Sequence, residues 1–216
     1  MDRIPKVPDG VTVVAVSKTR SADEVEALYR LGHRDFGENY VQELLEKAGE
    51  LESRGCVGIH WHFIGHLQSN KVRALMPVVH AIHSVDSVRL AREISARAVR
   101  SVPCFLEINI AGEPTKAGFA PAEARAAAEE ISRLPRIDLR GLMCIPAPQG
   151  SAGGLAPGQG ARMSFAALRE LEKSCRPFTR AELSMGMSED FEAAIAEGAT
   201  VVRIGSRIFG PRTSRK

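Results

Sequence analysis

The sequence has no cysteine pair at metal-binding or redox spacing. Its four cysteines, Cys56, Cys104, Cys144 and Cys175, occur singly. Neither a zinc site nor a Cys-x-x-Cys motif is therefore predicted. Cys104 and Cys144 fall inside apolar runs and read as small core residues. Unpaired thiols suit a reducing cytoplasm. No apolar stretch approaches the ~20 residues of a membrane span. The opening "MDRIPKVPDG" lacks the apolar core of a signal peptide, so a cytoplasmic protein away from membranes is expected. The net charge of +3 is mild, and no basic stripe with interleaved aromatics occurs, so no nucleic-acid face is expected. Glycine-rich phosphate fingerprints are also missing. The first strand-to-helix turn, "SKTRSADE", contains no glycine, which argues against a dinucleotide-binding sheet.

What is present is an alternation. Strand-like runs are read at Thr12–Ser17, Arg34–Phe36, His60–Ile64, Val79–Ser84, Cys104–Ile110, Leu139–Ile145, Glu182–Met185 and Val201–Ile204. Helix-like patterns separate them. "SADEVEALYRLG" has a serine cap, early acids, apolar Val25, Leu28 and Leu31, and a closing Gly32. An eighth, short helix is expected after Ile208. About eight β–α units within 216 residues predict an α/β fold, a (β/α)₈ TIM barrel, as a single domain over residues 1–216. One stretch, "PAPQGSAGGLAPGQGA" at 146–161, is rich in glycine and proline. It reads as a flexible loop after the sixth strand, with a lid as the alternative.

In such a barrel the site lies at the C-terminal ends of the strands. Strand one ends in Ser17-Lys18, strand seven in "SMGMS" and strand eight in "RIGSR". Barrel phosphate sites are often built from the loops after strands seven and eight. Ser188, Gly205 and Ser206 are placed to form one. Ser188 also reads as a plain helix N-cap, and Glu189 and Asp190 fit that reading. Arg203 interrupts the apolar strand "TVVRIG". Buried arginines are rare unless paired. Arg203 is either in a structural ion pair or a fixed cation facing a ligand on the barrel axis. A desolvated lysine loses its proton more easily and attacks aldehydes. Beside a phosphate cup, Lys18 points to pyridoxal 5′-phosphate (PLP), with a sugar phosphate as competitor. Arg203 would then partner the pyridine nitrogen.

Long stretches carry a resemblance: "VAVSKT", "FGENYVQE", "HWHFIGHLQSNK", "INIAGEPTKAGF", "GLMCIP" and "LSMGMSEDFEAAIAEGATVVRIGSRIFG". The sequence resembles the pyridoxal phosphate homeostasis protein family, single-domain relatives of the alanine racemase barrel. The resemblance implies a barrel that binds PLP as a Schiff base on Lys18. It implies that Arg203 faces the pyridine nitrogen and that Ser188, Gly205 and Ser206 hold the phosphate. It places Asn39 near the ring's polar edge, Met185 against the ring, and Lys116 as a second lysine near the site. His62 and His66, on or just after strand three, read first as structural. The segment after strand six departs from the family pattern.

Racemisation on PLP needs acid/base groups on both faces of the ring. The tyrosines are only Tyr29 and Tyr40. Tyr29 lies in an outer helix, and Tyr40 begins the helix after strand two. One base, Lys18, is evident and no second. The expectation is a carrier that buffers PLP or supplies it to apo-enzymes, acting as a monomer and not as an enzyme. The rivals are a weak PLP-dependent racemase or lyase and a Schiff-base aldolase.

Overall fold

A computed structural model describes residues 4–146 and 158–211. Eight strands close into one barrel in chain order: β1 (Thr12–Val16), β2 (Asp35–Glu38), β3 (His60–Phe63), β4 (Val79–Val85), β5 (Val102–Glu107), β6 (Ile137–Met143), β7 (Glu182–Ser184) and β8 (Val201–Ile204). All neighbours are parallel, and β8 returns to β1 with Val14 opposite Arg203. The helices are α1 (Ala22–Arg30), α2 (Val41–Ser53), α3 (Val72–Leu75), α4 (Val88–Arg97), α5 (Ala124–Ser132), α6 (Gln159–Cys175), α7 (Phe191–Ala196) and α8 (Ser206–Phe209). The predicted (β/α)₈ barrel is the fold observed.

Local chemistry sets several boundaries. The Ser21 side chain accepts the Glu24 N–H, and Glu24 accepts the Ser21 N–H in return. This capping box starts α1 and contributes about 1 kcal/mol. Val25 and Leu28 are buried as expected, but Leu31 is 52% exposed. It is the C-cap of α1, so its side chain leaves the buried stripe. β2 runs two residues beyond the expected Phe36 and includes a fully buried Glu38. α8 begins at Ser206, before Ile208 rather than after it. Residues 147–157 of the predicted loop or lid lie outside the described residues.

The core has two parts. A large apolar belt packs between strands and helices, and a small cluster of Val14, Phe105, Met143 and Val201 fills the barrel interior. Barrel interiors are usually filled by bulky branched residues. Here the interior also holds buried His62, His83, Ser184 and Arg203, linked by hydrogen bonds. All four cysteines are buried and free. Burial pushes the Cys144 thiol up to about 12. Among the described residues no helix is long and apolar enough to cross a membrane, and no cluster suited to a metal ion occurs.

Candidate functional site

The ends of β1, β2, β3 and β8, with the β6–α6 and β7–α7 connections, surround a cavity of about 280 Å³. That is just below the roughly 300 Å³ at which small-molecule sites begin. Lys18, Asn39, Ser188, Arg203, Gly205 and Ser206 all line it. Met185 does not. It continues β7 by donating its N–H to Val201 O and is fully buried in the outer belt. Two residues on, Met187 lines the cavity instead. Lys116 lies off the cavity, 2.6 Å from Glu113. His66 is exposed beside Asp86.

Lys18 is half-buried and sits in a turn closed by Arg20 N–H to Ser17 O. Both flanks are clamped. Ser17 donates through its N–H to Gly37 O and through its hydroxyl to Glu38 Oε1, the latter at 2.7 Å. Lys47, from α2, donates to Ser17 O (2.6 Å), Glu38 Oε1 (2.7 Å) and Glu43 Oε1 (2.7 Å). Thr19 has φ +65, a left-handed conformation that is costly for a β-branched residue. Its N–H donates to Glu43 Oε1 at 2.6 Å. Burial pushes the Glu38 carboxyl up against the pull of Lys47 and Ser17. The sequence reading missed this cluster. Its visible signals were a glutamate continuing a buried strand and the Glu43/Lys47 i,i+4 pair.

Arg203 is buried and forms no direct ion pair among the described residues. It donates to Ser184 Oγ (2.7 Å) and to Cys144 O (2.9 Å). The ion-pair reading is therefore not what the geometry gives. Burial pulls its pKa down, with Cys144, Asp190 and Glu107 opposing. Arginine starts so high that it keeps its charge.

Ser188 is not the N-cap of α7. Asp190 holds that position, and Ser188 Oγ instead accepts the Gly205 N–H at 3.1 Å. The turns after β7 and β8 are thereby joined. Asp190 folds back to accept the Met187 N–H at 2.5 Å, and burial raises its carboxyl. Three cations, Lys18, Arg20 and Arg203, line the cavity with two acids, Glu189 and Asp190. Gly205 and Ser206 open α8, so their N–H groups precede its intrahelical bonds.

Asn39 Oδ1 is buried and has no hydrogen-bond partner among the described residues. A buried polar atom of this kind calls for a partner. On the cavity wall, it fits a ligand with a polar ring substituent. Gly65 makes the placement possible: a Cβ there would come within 2.2 Å of Asn39 O. The cavity thus combines an amine, a fixed cation, an amide and a cup of N–H and hydroxyl groups, which suits PLP.

Residues 3–213 match the family described as "Alanine racemase, N-terminal domain". The barrel superposes on alanine racemase of Corynebacterium glutamicum with a TM-score of 0.70 at 16% identity, covering 96% of this chain and 59% of that one. That likeness concerns the fold. The class is a barrel of the alanine racemase N-terminal type. The chain is 43% identical over 208 residues to the pyridoxal phosphate homeostasis protein of Pseudomonas aeruginosa, covering 95% of this chain and 86% of that protein. It is 44% identical to the human protein of that name, covering 94% and 78%. PipY of Synechococcus elongatus, solved with PLP bound, has a TM-score of 0.84 at 38% identity, covering 95% of both chains. The chain belongs to the pyridoxal phosphate homeostasis protein family.

Proposed function

We propose that this protein binds PLP through Lys18 and holds it for supply to apo-enzymes. The observation that carries the reading is that Lys18, Arg203 and the Ser188–Gly205–Ser206 cup line one cavity. Lys18 would supply the amine that takes the aldehyde, whose oxygen would be released as water. When bound, the ring would supply an electron sink. Arg203, always a donor, would leave the ring nitrogen unprotonated and that sink weak. Ser188, Gly205 and Ser206 hold the phosphate, and Asn39 meets the ring's polar edge.

A carrier function, rather than an enzyme, is supported by the names of the relatives and by the tyrosines. Tyr29 donates its hydroxyl to Val57 O, and Tyr40 is 62% exposed. Neither lines the cavity. We also propose that it acts as a monomer, in the reducing compartment its buried free thiols suit. The test incubates the PLP-loaded protein with alanine and, separately, with an apo PLP-dependent enzyme. Recovery of the apo-enzyme's activity without racemisation of alanine is expected. Turnover that disappears in Lys18→Ala would make the protein an enzyme instead.

A further inference from the structure

A continuous chain of hydrogen bonds crosses the barrel interior beneath the cavity. Asp35 Oδ1, on β2, lies 3.0 Å from His62 Nε2 on β3. His62 Nδ1 lies 2.9 Å from His83 Nε2 on β4. His83 Nδ1 lies 2.7 Å from Ser184 Oγ on β7, which receives Arg203 at 2.7 Å from β8. Asp35 starts its strand at the N-terminal face, whereas Arg203 lines the cavity at the other. Asp35, His62, His83 and Ser184 do not line it.

The two ends fix the direction of the outer links. A guanidinium only donates, and an ionised carboxylate only accepts. Burial alone would raise Asp35, but His62 and His60 outweigh it and hold the carboxyl below its usual range. His62 must therefore donate from Nε2. Burial, then His62 and Arg203, holds His83 well below the usual imidazole range, so it is neutral. When His62 carries a single ring proton, on Nε2, its Nδ1 accepts from His83 Nε2–H. His83 Nδ1 then accepts the Ser184 hydroxyl proton, which leaves the Ser184 oxygen to accept from Arg203. In that arrangement all four bonds run from Arg203 towards Asp35. A second proton on His62 would turn the two inner links around and leave both ends as they are. Other charged or titratable groups around the chain include His33, His60, His80, Cys144 and Glu107, with Asp190 near Arg203.

We propose that Asp35, His62, His83 and Ser184 are positioning residues for Arg203, with Asp35 its remote counter-ion through a polarised hydrogen-bond chain. This rests on the reading that Arg203 faces the cofactor's ring nitrogen. The chain holds the guanidinium in one orientation without placing a carboxylate against it. A neighbouring carboxylate would compete with the ring for the guanidinium's donors. A chain of aligned hydrogen bonds strengthens each link.

The test begins with ¹⁵N NMR of the histidine side chains in the protein without PLP. His62 and His83 should both be protonated at Nε2 alone. Asp35→Asn keeps the shape and removes the charge, and should bring in the Nδ1–H form at both rings. With PLP added, Asp35→Asn should shift the visible absorption band and weaken retention about three- to tenfold. Ser184→Ala should do the same. The double variant should resemble Ser184→Ala alone, since a cut chain cannot be cut twice. A purely structural role would move the unfolding midpoint and leave band and tautomers unchanged. An Nδ1–H pattern in the wild-type protein overturns the proposal, whether or not a variant folds or PLP binds. Additive effects in the double variant overturn it as well. Failure to bind PLP at all would instead remove the proposed function, leaving the chain's polarity decided by the tautomers.

Discussion

Ser188 Oγ accepts the Gly205 N–H across the ends of β7 and β8. One side chain thus ties together the two turns that would cradle a phosphate. Ser188 therefore acts on Gly205 as well as presenting its own hydroxyl. Ser188→Ala combined with Ser206→Ala should weaken binding of PLP more than of unphosphorylated pyridoxal. The difference should be about tenfold or more, the loss of one or two hydrogen bonds to a charged group. Equal losses for both ligands in parallel titrations would place the phosphate elsewhere.

The Lys47 cluster is expected to govern both stability and the pose of Lys18. Lys47 and Glu38 side chains are 7% and 0% exposed. Removing one partner of a buried pair strands the other and costs about 3–5 kcal/mol. Lys47→Met should lower urea stability by about that amount and loosen PLP retention by freeing Ser17 O. Adding Glu38→Gln should restore part of the stability. A Lys47→Met protein as stable as the parent would show that the cluster is not coupled to folding.

His80 sets a pH dependence. Burial, then the neighbouring His62 and His60, lower it to about 4, with Asp35 opposing and Arg100 reinforcing. The unfolded chain, near 6.5, therefore binds more protons than the folded one between about 4 and 6.5. Stability must rise with pH across that window and be lost as pH falls through it. The thermal midpoint should drop from pH 6.5 to 4, and His80→Asn should flatten the drop. A His80→Asn profile parallel to wild type would count against this assignment.

The barrel was legible because each strand carries its own apolar run and each helix its own stripe, and these are local features. The rim residues were legible for the same reason: polar groups directly follow those runs. Misreadings came where one position serves two masters. Glu38 lies two residues past the strand end read from the sequence, but Lys47 pairs with it and Ser17 donates to it inside the fold. Ser188 looks like a helix cap, but Gly205 claims it. Met185 and Met187 are equivalent in sequence, and only the end of β7 decides which one reaches the cavity. The chain from Asp35 to Arg203 was not legible. It joins five strands, with His83 and Ser184 101 positions apart, and depends on barrel register that local patterning does not encode.

The account turns on Lys18 as the anchor. The most direct measurement is borohydride reduction of the protein with added PLP, then peptide mass mapping, with absorption recorded before and after. A single reduced adduct on Lys18, with loss of the yellow band, is the predicted result. No adduct, or adducts spread over surface lysines, would contradict it.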